Sequence, residues 1–434
     1  MISFEALNPG SKVRKRATVV GGLLLGLVAL AGSTLADSKP APRSQSPEAA
    51  KAGLDPARLA RIRPRLQELV DAGRNAGAVT LVARRGVVAH LEAVGYQDLE
   101  AKTPMRTDSI FQLMSMTKPV TGLGIMMLAE EGRLGLLDPV EKHLPEFKGL
   151  KVRVRAGESG PDAGRLVDPE RALTIRDLMT HTSGMGDYPA ALDLYTKMGV
   201  SLEDAVKAAA GQALLFQPGE RWSYSNPGIA TLGRIIEVVS GQRYEDFLKA
   251  RLFDPLKMND TFFFPPADKT ARIALVYRTK EGRLERSPAT ILGGDAAKFR
   301  VGAKYPAPDF GLYSTAGDLF RLYQMILDRG VFEGRRYLSP AALDLMTAVQ
   351  TGSLKAGWKP GAGFGLTFEV VRDPMGTLAF QSVGTYGHGG AFGTEGWIDP
   401  TRRMITILLL QRSEGGDSDE HNALRALAAS AIID

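Results

Sequence analysis

Cysteine is absent from all 434 residues, which excludes a disulfide framework, a thiolate metal site and lipid attachment at a cysteine. Histidine is scarce, at five, and no two of them stand in a His-Glu-x-x-His pattern, so that zinc-hydrolase signature is missing. Also missing are a Gly-x-Ser-x-Gly nucleophile elbow and a glycine-rich phosphate loop ending in Gly-Lys-Ser/Thr. Neither sign of charge is in large excess: 54 basic residues face 48 acidic ones, a net +6. Removing Met1 to Ala36 takes four basic and one acidic residue away and leaves +3, with the remaining basic residues dispersed among acidic ones. No nucleic-acid footprint results. With 44% hydrophobic and 24% charged residues, the chain reads as globular and long enough for two cores, not as disordered, fibrous or polytopic.

Lys12, Arg14, Lys15 and Arg16 precede an apolar run over residues 17–31 and then small residues ending at Ala36. That order predicts a signal peptide over 1–36, cleaved near Ala36, and a secreted or periplasmic protein. The other reading is an uncleaved membrane anchor, although about fifteen apolar residues fall short of the about twenty a bilayer span wants. Residues 37–50, rich in Ser, Pro and Ala, predict a disordered linker, and 51–434 the folded domain.

What is present centres on residues 111–122, FQLMSMTKPVTG. Ser115 and Lys118 stand at i and i+3, which a helix places on one face about a turn apart. A serine hydroxyl attacks a carbonyl at neutral pH only when a base takes its proton, and a desolvated lysine amine can be that base. Pro119, tolerated only in a first helical turn, predicts a helix beginning at or just before Ser115. It also disfavours the α region for Lys118, so the first turn should be irregular. Val120, Leu123, Ile125, Met126, Met127, Leu128 and Ala129 predict a helix buried nearly all round and closing at Glu131-Gly132. Alone, Ser-x-x-Lys is a weak pattern that a chain of this length holds by chance about once.

Elsewhere, Asp55 reads as the N-cap and Pro56 as N1 of a helix running through Leu59, Ile62, Leu66, Leu69 and Val70. Residues 79–83 and 87–94, joined at Arg85-Gly86, predict a hairpin. Short helices are expected over 172–180 and 202–210. His181, which follows the first of them, reads as a capping or loop-bracing residue rather than a base. In 216–241 a turn at Pro218-Gly219 precedes a helix ending at Gly241. Between them, Tyr224 and Asn226 are open to two readings: a proton shuttle and a substrate clamp, or a packed aromatic and a turn initiator. Residues 310–319 read as a capped structural helix start. Strands are expected over 364–371, 379–386, 394–398 and 404–410, with a closing helix over 422–433. The sheet is therefore discontinuous, about 54–110 with 330–434, and a helical region of about 115–325 is inserted into it. The stretch Tyr386 to Gly393 contains four glycines and is either a place where backbone approaches a ligand or a flexible hairpin.

Taken in order, Ser115-Met116-Thr117-Lys118, Tyr224-Ser225-Asn226 and His388-Gly389-Gly390 resemble the three boxes of the serine β-lactamase and penicillin-binding protein superfamily. The Tyr-x-Asn variant is that of class C β-lactamases and family VIII carboxylesterases. HTSG at 181–184, QPGERWSYSNPG at 217–228 and GLYSTAGDL at 311–319 resemble the same family, and the likeness covers nearly everything from Leu54 onward. It implies an α+β, β-lactamase-like fold: an antiparallel sheet flanked by helices, an all-helical region beside it, and the active site between the two. It implies catalysis by Ser115, Lys118 and Tyr224, with the last two sharing the proton and with neither a metal nor a cofactor. It further implies an oxyanion hole from the N–H groups of Ser115 and Ala391, with Asn226 holding Lys118 and the substrate's carbonyl side. His388, Gly389 and Gly390 complete the binding side, and Asp187 and Tyr188 are expected to line the pocket.

The departure from the family pattern is His388, where β-lactamases and DD-peptidases generally carry Lys to meet a carboxylate. A histidine is mostly neutral at pH 7, and Gly389 lacks the usual hydroxyl. The expected function is therefore cleavage of carboxylic esters, with a small-molecule ester or acyl donor as substrate, no nucleic acid and no stable membrane insertion after signal cleavage. The alternatives are a β-lactamase or D-amino-acid-specific peptidase, and a non-catalytic binding or sensor domain of the same fold.

Overall fold

A computed structural model describes residues 47–154, 164–186, 199–287, 303–413 and 418–434. An eight-stranded antiparallel sheet runs through the fold. Its strands in chain order are β1 (Gly77–Arg84), β2 (Val87–Asp98), β3 (Thr103–Pro104), β4 (Ala362–Phe364), β5 (Glu369–Val371), β6 (Tyr386–Gly389), β7 (Glu395–Asp399) and β8 (Met404–Leu410). They lie side by side as β4-β5-β6-β7-β8-β1-β2-β3, so the two distant stretches of chain join where β1 pairs with β8. The β1–β2 turn has positive φ at Arg85 and Gly86, the twist that a two-residue hairpin connection requires.

All eight residues of β1 are buried, so alternation sends them into two cores. Ala78 and Val82, with Leu408 and Leu410 of β8, face helices α1 (Pro47–Lys51), α2 (Pro56–Leu59) and α3 (Ile62–Asp71) and the C-terminal helix Asp419–Ser430. Val79, Leu81, Ile405, Ile407 and Leu409 face the opposite, larger core. That core reaches α4 (Thr117–Glu130), of which every residue from Thr117 to Leu128 is buried. Packed with it are α5 (Ile175–Met179), α6 (Leu202–Ala210) and α7 (Asn226–Ser240).

Several boundaries differ from expectation. Residues 47–50, expected as part of a linker, are instead helical in α1, and Ala49 is wholly buried in the core that holds Leu54 and Leu424. The helix expected from Asp55 to Val70 is capped by Asp55 as foreseen but breaks at Ala60-Arg61. Pro64 explains the break: it has no N–H for the Ala60 carbonyl, and its ring would crowd that oxygen. The strand expected over 364–371 contains the end of β4 and all of β5 but is broken between them by a tight turn at 365–368, with Thr367 at φ 67 and Gly365 N–H bonded to Phe368 O. Only the end of the strand expected over 379–386 is extended, as β6. Helix α8 (Ala316–Leu327), at the end of the stretch expected to be helical, packs Leu319, Leu322 and Ile326 into the core shared with β8.

Candidate active site

Ser115 sits in a single 3-10 turn, Met114–Met116, that leads into α4. Met114 has φ 53, an uncommon conformation for a side-chain-bearing residue and one that concentrates at functional sites. The turn is fixed from both sides. Thr117 Oγ1 donates to Met114 O at 2.7 Å and accepts from Leu312 N–H at 3.1 Å, while Leu113 N–H donates to Leu312 O. Phe111 and Gln112 pair with Ser314 and Tyr313, so GLYSTAGDL, expected to be structural, frames the nucleophile.

Lys118 is wholly buried. Its Nζ donates to Ser115 Oγ at 3.1 Å and to the main-chain carbonyl of Asp309 at 2.8 Å. It also lies over the Tyr224 ring, 4.7 Å from the centroid, where the negative face of the ring favours a cation. Sequence reasoning missed Asp309, since a backbone carbonyl has no side-chain signature. Its loop is placed by α4 itself: Thr121 Oγ1 donates to Pro308 O at 2.6 Å and shares a 2.6 Å hydrogen bond with the Tyr244 hydroxyl.

Tyr224 arrives from a different part of the chain. Ser225 caps α7, its Oγ accepting from Gly228 N–H at 3.0 Å, and Asn226 is the first residue of that helix. His181, at φ 58, packs its ring 4.5 Å from the Tyr224 ring. It is a brace, as expected, and not a base. Trp222, Trp358 and Phe364 complete an aromatic wall, with Trp358 edge-on to Tyr224 at 4.7 Å and Phe364 edge-on to His181 at 5.1 Å. Trp358 is 54% exposed, and nothing in its local sequence flagged it. Asn226 opens α7 two residues after Tyr224. Lys118 donates to Ser115 and Asp309.

The third box closes the site. His388 and Gly389 end β6, and Gly390 N–H bonds Thr394 O at 2.7 Å. Thr394 Oγ1 in turn donates to Leu113 O at 2.8 Å, beside the nucleophile turn. A Cβ at Gly390 would collide with Leu113 O and Thr394 Oγ1, so only glycine allows this approach. Ala391 is exposed, and its N–H meets no acceptor among the described residues. The Ser115 N–H, at the start of a helix, likewise has no intrahelical acceptor. His388 is buried, and its Nδ1–H donates to Gly389 O at 2.6 Å. Burial first and the Lys118 charge second hold its pKa down to about 3. The same two causes, in the same order, hold His181 well below the ordinary histidine value. Asp187 and Tyr188 lie outside the described residues.

A partly exposed serine beside a wholly buried lysine, a tyrosine next to them and the N–H groups of Ser115 and Ala391 make a nucleophile that can transfer acyl groups. The beta-lactamase family model matches residues 62–430. The chain belongs to that family, and it is a serine hydrolase of the serine β-lactamase and penicillin-binding protein superfamily, whose members include esterases. Among curated relatives it is 33% identical over 368 residues to Protein Rv1367c of Mycobacterium tuberculosis, covering 80% of this chain and 88% of that one. It is 31% identical over 369 residues to Esterase EstB of Burkholderia gladioli, with the same two coverages. Among solved structures it is similar to EstCE1, described as a hydrolase with promiscuous acyltransferase activity. That likeness has TM-score 0.70 and 25% identity over 87% of this chain and 99% of that one.

Proposed function

We propose that this protein is exported and cleaves neutral carboxylic esters through an acyl-enzyme on Ser115. One observation carries the ester reading: His388, buried and with its proton fixed on Nδ1 by Gly389 O, presents no charge to a substrate carboxylate at neutral pH. The 31% identity to an esterase supports it. Ser115 Oγ bonds to the carbonyl carbon while its proton passes to the Lys118–Tyr224 pair. The carbonyl π electrons move onto oxygen, where the N–H groups of Ser115 and Ala391 receive the charge. Collapse expels the alkoxide, which takes a proton back from the pair. Water then attacks the acyl-enzyme by the reverse proton route and releases the carboxylic acid and the Ser115 hydroxyl. Asn226, half exposed at the start of α7, lies on the substrate's carbonyl side, and Tyr188 lines the pocket by resemblance.

The test is turnover of a short-chain p-nitrophenyl ester and of a chromogenic cephalosporin by one preparation, each beside Ser115→Ala. Ester turnover that vanishes in the variant, with the cephalosporin nearly untouched, is the expected result. Rapid cephalosporin opening would overturn the role given to His388 and promote the β-lactamase or D-amino-acid peptidase reading. Export rests on the basic and apolar order of residues 12–36. Protein recovered from the periplasm or medium should begin just after Ala36, and full-length protein held in the membrane would contradict this.

A further inference from the structure

HTSG and QPGERWSYSNPG are far apart in sequence and run alongside each other in the fold. Leu215 N–H donates to Gly184 O, Gly219 N–H to Thr182 O and Ser223 N–H to His181 O, each at 2.8 Å. The first strip is anchored behind α5: Thr182 N–H bonds Asp177 O at 2.9 Å, and Arg171 grips the Asp177 carboxylate with bonds of 2.6 and 2.8 Å. At the end of this ladder the pattern changes, because a side chain takes over from the backbone. Ser225 N–H donates to His181 Nδ1 at 3.1 Å.

One residue thus binds both neighbours of Tyr224, Ser223 through its carbonyl and Ser225 through its ring, while the same ring packs 4.5 Å from the Tyr224 ring at 37°. Its φ of 58 turns carbonyl and side chain toward the same segment. The accepted bond also sets the tautomer, because Nδ1 must be the unprotonated nitrogen and Nε2 carries the hydrogen. His181 is wholly buried, so it cannot touch solvent or substrate as an acid or base would.

We infer that His181 is a positioning residue for Tyr224, fixing the phenol over Lys118 by gripping the main chain on both sides of it. The inference rests on the proposed proton role of Tyr224. His181→Phe keeps a ring and loses the Nδ1 acceptor, so it should lower kcat for a p-nitrophenyl ester by about 10²-fold, the scale of a slight misplacement of a reacting group. KM should move little. His181→Asn restores an acceptor on a residue that tolerates this φ, and should recover most of kcat.

The decisive measurement is the cycle of His181→Phe, Tyr224→Phe and the double variant. If His181 acts through Tyr224, the double variant is no slower than Tyr224→Phe alone. Multiplied penalties, or an Asn variant as slow as the Phe one, would overturn the inference. If Tyr224→Phe alone retains full activity, the proton role of Tyr224 fails first and the two failures are told apart. Should His181→Phe not fold, His181→Leu serves the same cycle.

Discussion

Ser115 and Lys118 are brought together by one helical turn, whereas Tyr224 reaches them from a segment held by backbone bonds to HTSG and by the His181 ring. The first arrangement is local. Once α4 forms, the i, i+3 spacing sets the distance, and the buried apolar residues around it make the helix hard to move. The second depends on several bonds between segments distant in sequence, and a fault in any of them should displace a reacting group without unfolding the protein. The nucleophile half is thus either present or absent, while the tyrosine half can be degraded by degrees.

Breaking the local half should have the largest effect. Ser115→Ala, and Lys118→Met with its similar volume, should each lower ester kcat by about 10⁴-fold or more, and the double variant should be little worse, as for groups that act as a unit. A Lys118→Met enzyme within tenfold of the parent would contradict the pairing. Tyr224→Phe should cost about 10² to 10⁴, the usual range for positioned proton transfer, read as kcat in the same assay.

These two effects also mark what the sequence could tell. Ser115, Lys118 and the buried α4 were legible because helix periodicity is a local rule, and β1, β2 and β8 because their β-branched and apolar runs are long. Pro64 was in plain view, yet apolar spacing alone carried the helix across it. Asp309 and Trp358 were not legible: one acts through a carbonyl that every residue has, and the other is placed by tertiary packing. The role given to Asn226 rests on resemblance alone, because an amide before a proline reads equally as a turn initiator.

Acid should weaken the fold through its buried histidines. His181 and His388 flank Tyr224, and His90 lies buried in the sheet with Nε2 2.8 Å from Thr80 Oγ1. Burial lowers the pKa of His90 to about 4, and His388 stands at about 3. Their folded values lie below the unfolded value of about 6.5, so the unfolded chain binds more protons between the two. Their stabilisation is complete above pH 6.5 and is lost as pH falls toward 4 and then 3, by up to about 1.4 kcal/mol per pH unit per histidine. Melting temperatures at pH 7.5, 6 and 4.5 should fall in that order, and a flat series would show that these imidazoles are not buried neutral. The smallest effect is expected at the cap. Ser225→Ala should lower stability by about 1 kcal/mol in a denaturant titration, while a parent-like midpoint would show that the Gly228 N–H finds another acceptor.

Labelling with a fluorophosphonate, followed by peptide mass mapping of the parent, Lys118→Met and Ser115→Ala proteins, tests most directly that one activated serine does the chemistry. A single adduct on the peptide carrying Ser115, formed far more slowly with Lys118→Met and not at all with Ser115→Ala, is the result this account requires. An adduct on another residue, or equal labelling of the Ser115→Ala protein, would contradict it.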